Sequence, residues 1–298
     1  MKRLLLLLLL LAAVPALAMD AETASKLAQA SMLVTGTIMV RPGGAVADYS
    51  IEHPEALPPA VLKLVQDQVP QWQFVVPAGM LSADQVLKQG MNLRVVATPA
   101  GQHEYHIAIV GAVFQALADP QKKADKTAPG DQAKWRDTIV YRSREMPRYP
   151  RDALGEHASG TVYVLLKVGR DGKVQDLIAQ QVDLRNYGTR YQMDSARHAF
   201  AKAALEAARQ WTFYPPTVGP QLNEPYWYAR VPVDFMLGNI SRPRYGQWSV
   251  YIPGPVQPIP LSWVDPHGVL ASNVDAGADG QVAMLGQGLR LKTPLNGS

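Results

Sequence analysis

The sequence predicts an α+β protein of two small modules, each with helices packed on a three-stranded antiparallel sheet, followed by an irregular proline-rich tail. Three recurring signatures predict it. QWQFVVP at Gln71 to Pro77 returns as QWTFYPP at Gln210 to Pro216. A Gly-Thr pair opens a strand in each half (Gly36-Thr37 and Gly160-Thr161), and Gly-x-Val follows at a hairpin (Gly44-Ala45-Val46 and Gly172-Lys173-Val174). Recurrence in one order is the trace a degenerate internal duplication leaves.

The chain opens with Lys2 and Arg3, a leucine run from Leu4 to Leu11 and Ala16-Leu17-Ala18. A basic start, an apolar stretch and small residues at a cleavage site define an export signal, predicted over 1–18 with cleavage before Met19. The stretch is shorter than the roughly 20 residues a spanning helix needs, so no permanent membrane anchor is expected. The chain contains no cysteine, which excludes disulfides, a thiol nucleophile and a lipidated cysteine. A soluble periplasmic protein follows. The formal charge of +4 loses two positive charges with Lys2 and Arg3, and no basic run is interleaved with stacking aromatics, so nucleic acid is not an expected partner.

After a short segment at 19–30, the first module is expected over 31–118. Val34 to Val40 reads as a strand, Arg41-Pro42-Gly43-Gly44 as a turn and Ala45 to Ile51 as the returning strand. Pro59 opens a helix carrying Val61, Leu64, Val65 and Val69, which ends before Trp72 and Phe74. Arg94 to Thr98 and Tyr105 to Phe114 close the module, after an insertion around Ala78 to Gln89. A linker is expected over 119–146, where Asp119 to Lys134 is charged and poor in bulky residues.

The second module is expected over 147–237. Gly160 to Val168 alternates as a strand, Arg170-Asp171-Gly172-Lys173 is a hairpin turn, and Lys173 to Ile178 returns. A helix capped by Asp194 carries Ala196, Phe200, Ala203, Ala207 and Trp211 on one face. Tyr228 to Phe235 then sets Tyr228, Arg230, Pro232 and Asp234 against Ala229, Val231, Val233 and Phe235. Tyr163 and Leu165, on the strand face opposite Val162 and Val164, are expected either under a lead-in helix at Tyr149 to Leu154 or exposed. The tail at 238–298 holds YIPGPVQPIPLSW, which can run as an extended polyproline-like segment.

These residues resemble the C-terminal domain of the TonB family of energy transducers. The resemblance rests on Tyr149-Pro150, Ala153-Leu154, Gly160, Val162, Asp171-Gly172 and Val174. It continues through Ala203-Ala204-Leu205, Ala207, Arg209, Trp211, Phe213 and Pro215, and ends on Val231 to Phe235. It covers about 147–237, with a degenerate second copy suspected over 31–118. Phe200-Ala201 stands where that family has Leu-Asp. The resemblance implies two TonB C-terminal-like modules and capture of an extended receptor peptide by strand addition, in outer-membrane transport. The histidine-bearing anchor and long Pro-rich linker of a full transducer are not in this sequence.

The expectation is therefore a non-catalytic periplasmic binding or adaptor protein without a cofactor. Its partner would be an envelope protein or an extended receptor peptide, with peptidoglycan as a further candidate. A structural or peptidoglycan-associated protein is the alternative, and a divergent hydrolase the distant one. His103 and His106 point to opposite strand faces and cannot chelate one metal. DAGADG starts like a calcium loop but has Gly286-Gln287 where its closing acid belongs. Trp72, Phe74, Trp211 and Phe213 are expected in the core. Tyr226, Trp227 and Tyr228 are consecutive on an alternating strand, so they cannot all face inward, and with Arg230 they form the candidate ligand site. Tyr251 to Leu261 is expected either docked near that site or free.

Overall fold

The structure is a computed structural model describing residues 26–76, 85–101, 104–115, 137–237, 243–264, 270, 277, 279–286 and 289–295. The export signal at 1–18, the charged stretch from Asp119 to Lys134, His103 and Asp275 lie outside the described residues.

Strand β1 (Gln29–Val40) alternates, sending Met32, Val34, Ile38 and Val40 into a core. It turns at Arg41 to Gly44 into β2 (Val46–Ile51). Helix α1 (Pro59–Gln68) starts with proline, whose missing N–H would have no partner in a first turn anyway. Val61 and Val65 are its buried residues, and a 3-10 turn containing Pro70 follows it. Next come β3 (Phe74–Val75), β4 (Leu87–Gly101), β5 (Glu104–Gln115) and β6 (Val140–Ser143). After the single turn α2 (Arg151–Gly155), β7 (Gly160–Gly169) and β8 (Val174–Leu184) form the second hairpin. Helix α3 (Arg190–Ala208) leads to β9 (Thr212–Tyr214) and β10 (Tyr226–Phe235). The tail supplies β11 (Ser249–Tyr251), β12 (Ala283–Met284) and β13 (Arg290–Leu291).

The α+β expectation is corrected. Among the described residues 43% are strand and 19% helix, and the chain is mostly antiparallel sheet. The three-stranded modules are replaced by a five-stranded sheet, β11-β1-β4-β5 with β2 also on β1, and a four-stranded sheet, β12-β10-β7-β8. The physical reason lies in what covers the sheets. With α1 only ten residues long and α2 a single turn, helix cannot cover both faces. The tail contributes strands, and the two sheets meet each other. Arg94 of β4 donates to the hydroxyl of Tyr163 on β7 and pairs with Asp183 on β8 at 3.4 Å.

Smaller corrections share local causes. The cap of α3 is Thr189, whose Oγ1 accepts from the Gln192 amide while the Gln192 side chain accepts from the Thr189 amide. That reciprocal pair outcompetes Asp194, one turn further on. The expected linker contains β6, and β1 begins before residue 31. Leu165 is neither exposed nor under α2; it packs with Tyr228, Trp263 and Leu270.

Both hairpins close onto the strand that follows their helix. The Phe74 amide donates to the Gly44 carbonyl at 2.8 Å, and the Phe213 amide to the Gly172 carbonyl at 2.7 Å. Gly44 has φ 87° and Gly172 φ 75°. A Cβ would sit 2.1 Å from the Phe74 carbonyl oxygen in the first and 1.9 Å from that of Phe213 in the second, so only glycine fits either position. Trp72, Phe74, Trp211 and Phe213 are all buried, the first two in one core and the others in a second.

Candidate functional site

The pleat of β10 divides the candidate residues between two faces. Trp227 points into the core with α3, its Nε1 donating to the Gln221 carbonyl at 2.9 Å. Tyr226 and Tyr228 point the other way, and both hydroxyls donate to the Val264 carbonyl, at 3.2 and 2.9 Å. Tyr228 stacks on Trp263 with ring centroids 5.1 Å apart and planes at 18°. Trp263 Nε1 donates to Asp176 at 2.7 Å. Arg230 is 3% exposed and donates from Nε to Gln180 Oε1 at 3.0 Å. The aromatic strip is therefore occupied by the chain's own tail.

The tail reaches this strip along β8. Ile252 exchanges two backbone hydrogen bonds with Leu184, at 2.7 and 3.0 Å, and the Gln257 amide donates to the Gln180 carbonyl at 2.7 Å. Four prolines over Pro253 to Pro260 withhold amide donors, which is why the contact is two isolated points rather than a ladder.

The outer edge of β10 is taken as well. Gly280 donates to the Pro232 carbonyl at 2.7 Å, Leu285 to that of Tyr228 at 2.8 Å, and Ala283–Met284 pair with Arg230 and Ala229. On the other sheet, β11 pairs with the start of β1, and β13 pairs with β3. Strand β2 has the turn at Val69–Gln71 beside it.

Strand β5 differs. It pairs with β4 along its length and stands last in its sheet, and among the described residues no segment pairs with its outer side. Its sequence, EYHIAIVGAVFQ, has no lysine, arginine or proline. Those are the devices by which edge strands usually repel a further strand. A bulge at Val110, opposite the Arg94-Val95 step, and a second register shift between Pro99 and Gly101 leave Tyr105 to Ile109 and Gly111 to Gln115 in regular register. Ile109, Ala112 and Phe114 pack inward, Phe114 edge-to-face on Phe74 at 5.0 Å, so the strand is held rigidly for pairing. Sequence reading placed the strand at Tyr105 to Phe114 but gave it no role, because which strand ends up at an edge is set by pairing partners far along the chain.

Among the described residues no group of three or more His, Cys, Asp or Glu side chains could hold a metal, and no helix is long and apolar enough to cross a membrane. Comparison with family models, curated proteins and solved structures finds no match to this chain.

Proposed function

We propose that this chain is an exported, non-catalytic binding protein of the cell envelope that captures an extended segment of a partner protein by strand addition to β5. The observation that carries the reading is the outer edge of β5, which no segment pairs with among the described residues, while the outer edges of β8 and β10 are contacted by the chain's own tail. The tail shows what these sheets accept: short extended pieces joined by a few backbone hydrogen bonds and anchored by one or two side chains. A partner segment for β5 is expected to be extended, uncharged at its centre and rich in β-branched residues, matching the Ile107 to Val113 stretch. Strand capture is also what the TonB resemblance implies, but at a strand that resemblance did not single out. The basic and apolar start of the chain supports export to the periplasm.

The test uses the full mature chain, envelope extract to identify the partner, and a synthetic peptide of its captured segment. Hydrogen exchange with and without that peptide locates the contact. Protection gained at 104–115, and lost on introducing Val113→Lys, is the expected result. Protection at β8 or β10 with β5 unchanged would sink the β5 assignment.

A further inference from the structure

The aromatic strip of β10 holds a stretch of the tail that is built as a bound peptide is, from a few anchors on an otherwise exposed chain. Ile259 and Trp263 pack with Leu165, Ile178, Tyr226 and Tyr228, and Trp263 is the buried one of the two. At the other end Arg197 of α3 donates from a terminal nitrogen to the Pro253 carbonyl at 3.3 Å, and the Gly254 amide donates to Asp183 Oδ1 at 3.2 Å. Gly254 lies so close to β8 that a Cβ would stand 2.2 Å from the Val182 carbonyl oxygen. Away from these anchors the chain faces water. Val256 and Val264 are each 62% exposed, and Leu261 is fully exposed.

A segment that completed a core would bury its aliphatic residues, and this one leaves three of them in solvent. Pro253, Pro255, Pro258 and Pro260 hold it extended before it docks, so little chain entropy is lost on docking. Grooves lined by tyrosine and tryptophan recognise the same composition in separate chains. The chain on either side is held elsewhere, Ser249–Tyr251 on β1 and Ala283–Met284 on β10. The segment between can therefore leave without undoing either sheet.

We propose that the strip of Tyr226 and Tyr228, with the outer edge of β8, is a recognition groove for proline-rich extended segments that end in an aromatic anchor, and that Pro253 to Val264 is its resident occupant, displaced by such a segment of a partner protein. The resident lowers the apparent affinity for any incoming segment, because the groove is open to it only when the resident has left. The groove is separate from β5, and neither site depends on the other.

The test titrates the full mature chain with the dye-labelled peptide YIPGPVQPIPLSWV, which reproduces 251–264, and follows anisotropy. Trp263→Ala removes the resident's anchor but keeps Tyr226, Tyr228 and Asp176, so the peptide should bind it about tenfold or more tighter than it binds the unchanged chain. Gly254→Val dislodges the resident at its other end and should act in the same direction. Alanine in place of the peptide's prolines, or of its tryptophan, should weaken binding by about tenfold. Hydrogen exchange should show protection of Gln180 to Leu184 by the peptide, with β5 unchanged. Thermal unfolding reports whether each variant is folded. Equal affinity for the variants and the unchanged chain, no binding to a folded variant, a proline-free peptide that binds as tightly, or protection confined to β5 would each overturn the proposal. So would failure of both variants to fold, since the segment would then be core rather than occupant.

Discussion

The two halves of the molecule close their hairpins with the same bond and complete the closure with different parts of the chain. In both, a positive-φ glycine at the turn receives the amide of the phenylalanine that follows the helix. In the second half the phenylalanine strand β9 then pairs with β6, which lies just before that half in sequence. Phe213 stacks on Tyr141 at 5.0 Å, and Trp211 Nε1 donates to the Glu145 carbonyl at 2.7 Å. In the first half the equivalent β3 pairs with β13, at the far end of the chain. The Gln73 amide donates to Thr293 Oγ1 at 2.8 Å, and Leu289 is buried against Val61 and Trp72's core. One local device can thus be finished by near or distant chain, provided the segment is extended and offers an apolar anchor.

The sharpest way to break the comparison is at the glycines. Alanine at Gly172 or Gly44 must take a left-handed conformation, a strain of about 1–3 kcal/mol, and also push a backbone carbonyl away. Both variants should lose at least that much stability in chemical denaturation. A loss in one and none in the other would show that the two turns are not equivalent devices.

Removing 289–298 should separate the halves. Leu289 is lost from the first core, and burial of a leucine is worth roughly 2–3 kcal/mol. Hydrogen exchange should quicken in β3 and α1 while α3 and β10 keep their protection. Uniform quickening in both halves would mean that they unfold as one unit.

Much of this architecture can be read from local sequence, and the failures are equally physical. Gly-x-Val and Trp-x-Phe are readable because a left-handed turn needs glycine and a buried helix exit needs large rings. The alternation of Tyr228 to Phe235 sets Ala229, Val231, Val233 and Phe235 on the face that packs in the core, whereas Trp227, grouped with Tyr226 and Tyr228 as a candidate ligand residue, turns into that same core. Nothing local marks Ala283–Met284 or Arg290–Leu291 as strands, since two residues have no period. The Arg94 to Asp183 contact spans 89 positions and joins a strand centre to a strand end, so no motif announces it. The strand-rich class was missed for the same reason. Strands donated by the tail exist only because β1, β3 and β10 offer edges to them.

Titration of buried tyrosines gives a smaller effect and tests the inter-sheet contact. Burial raises the Tyr251 hydroxyl above its ordinary range, against the lowering effect of Arg94, and raises that of Tyr141 likewise, against the lowering effect of Arg144. A phenol whose folded pKa is raised keeps its proton when the unfolded chain has lost it. Stability is therefore full below about pH 10 and declines above it, by about 1.4 kcal/mol per pH unit for each such tyrosine until its folded pKa is reached. Unfolding followed between neutral pH and strong alkali should show this slope, shallower in Tyr251→Phe. A flat profile would mean that these hydroxyls are open to water.

The smallest effect is expected at Tyr141, and its sign is informative. Its hydroxyl is buried with no hydrogen-bond partner, while its ring stacks on Phe213 and meets Trp211 edge-on at 5.6 Å. Tyr141→Phe keeps both ring contacts and removes a polar group that left water for nothing, so it should be neutral or stabilising by about 1 kcal/mol. The first half offers the control, for there Phe114 already supplies a ring without a hydroxyl beside Trp72 and Phe74. If Tyr141→Phe stabilises the chain, the second half's aromatic closure works as the first half's does, through ring packing alone. A loss of 1 kcal/mol or more would show that the hydroxyl has a function the ring contacts do not account for.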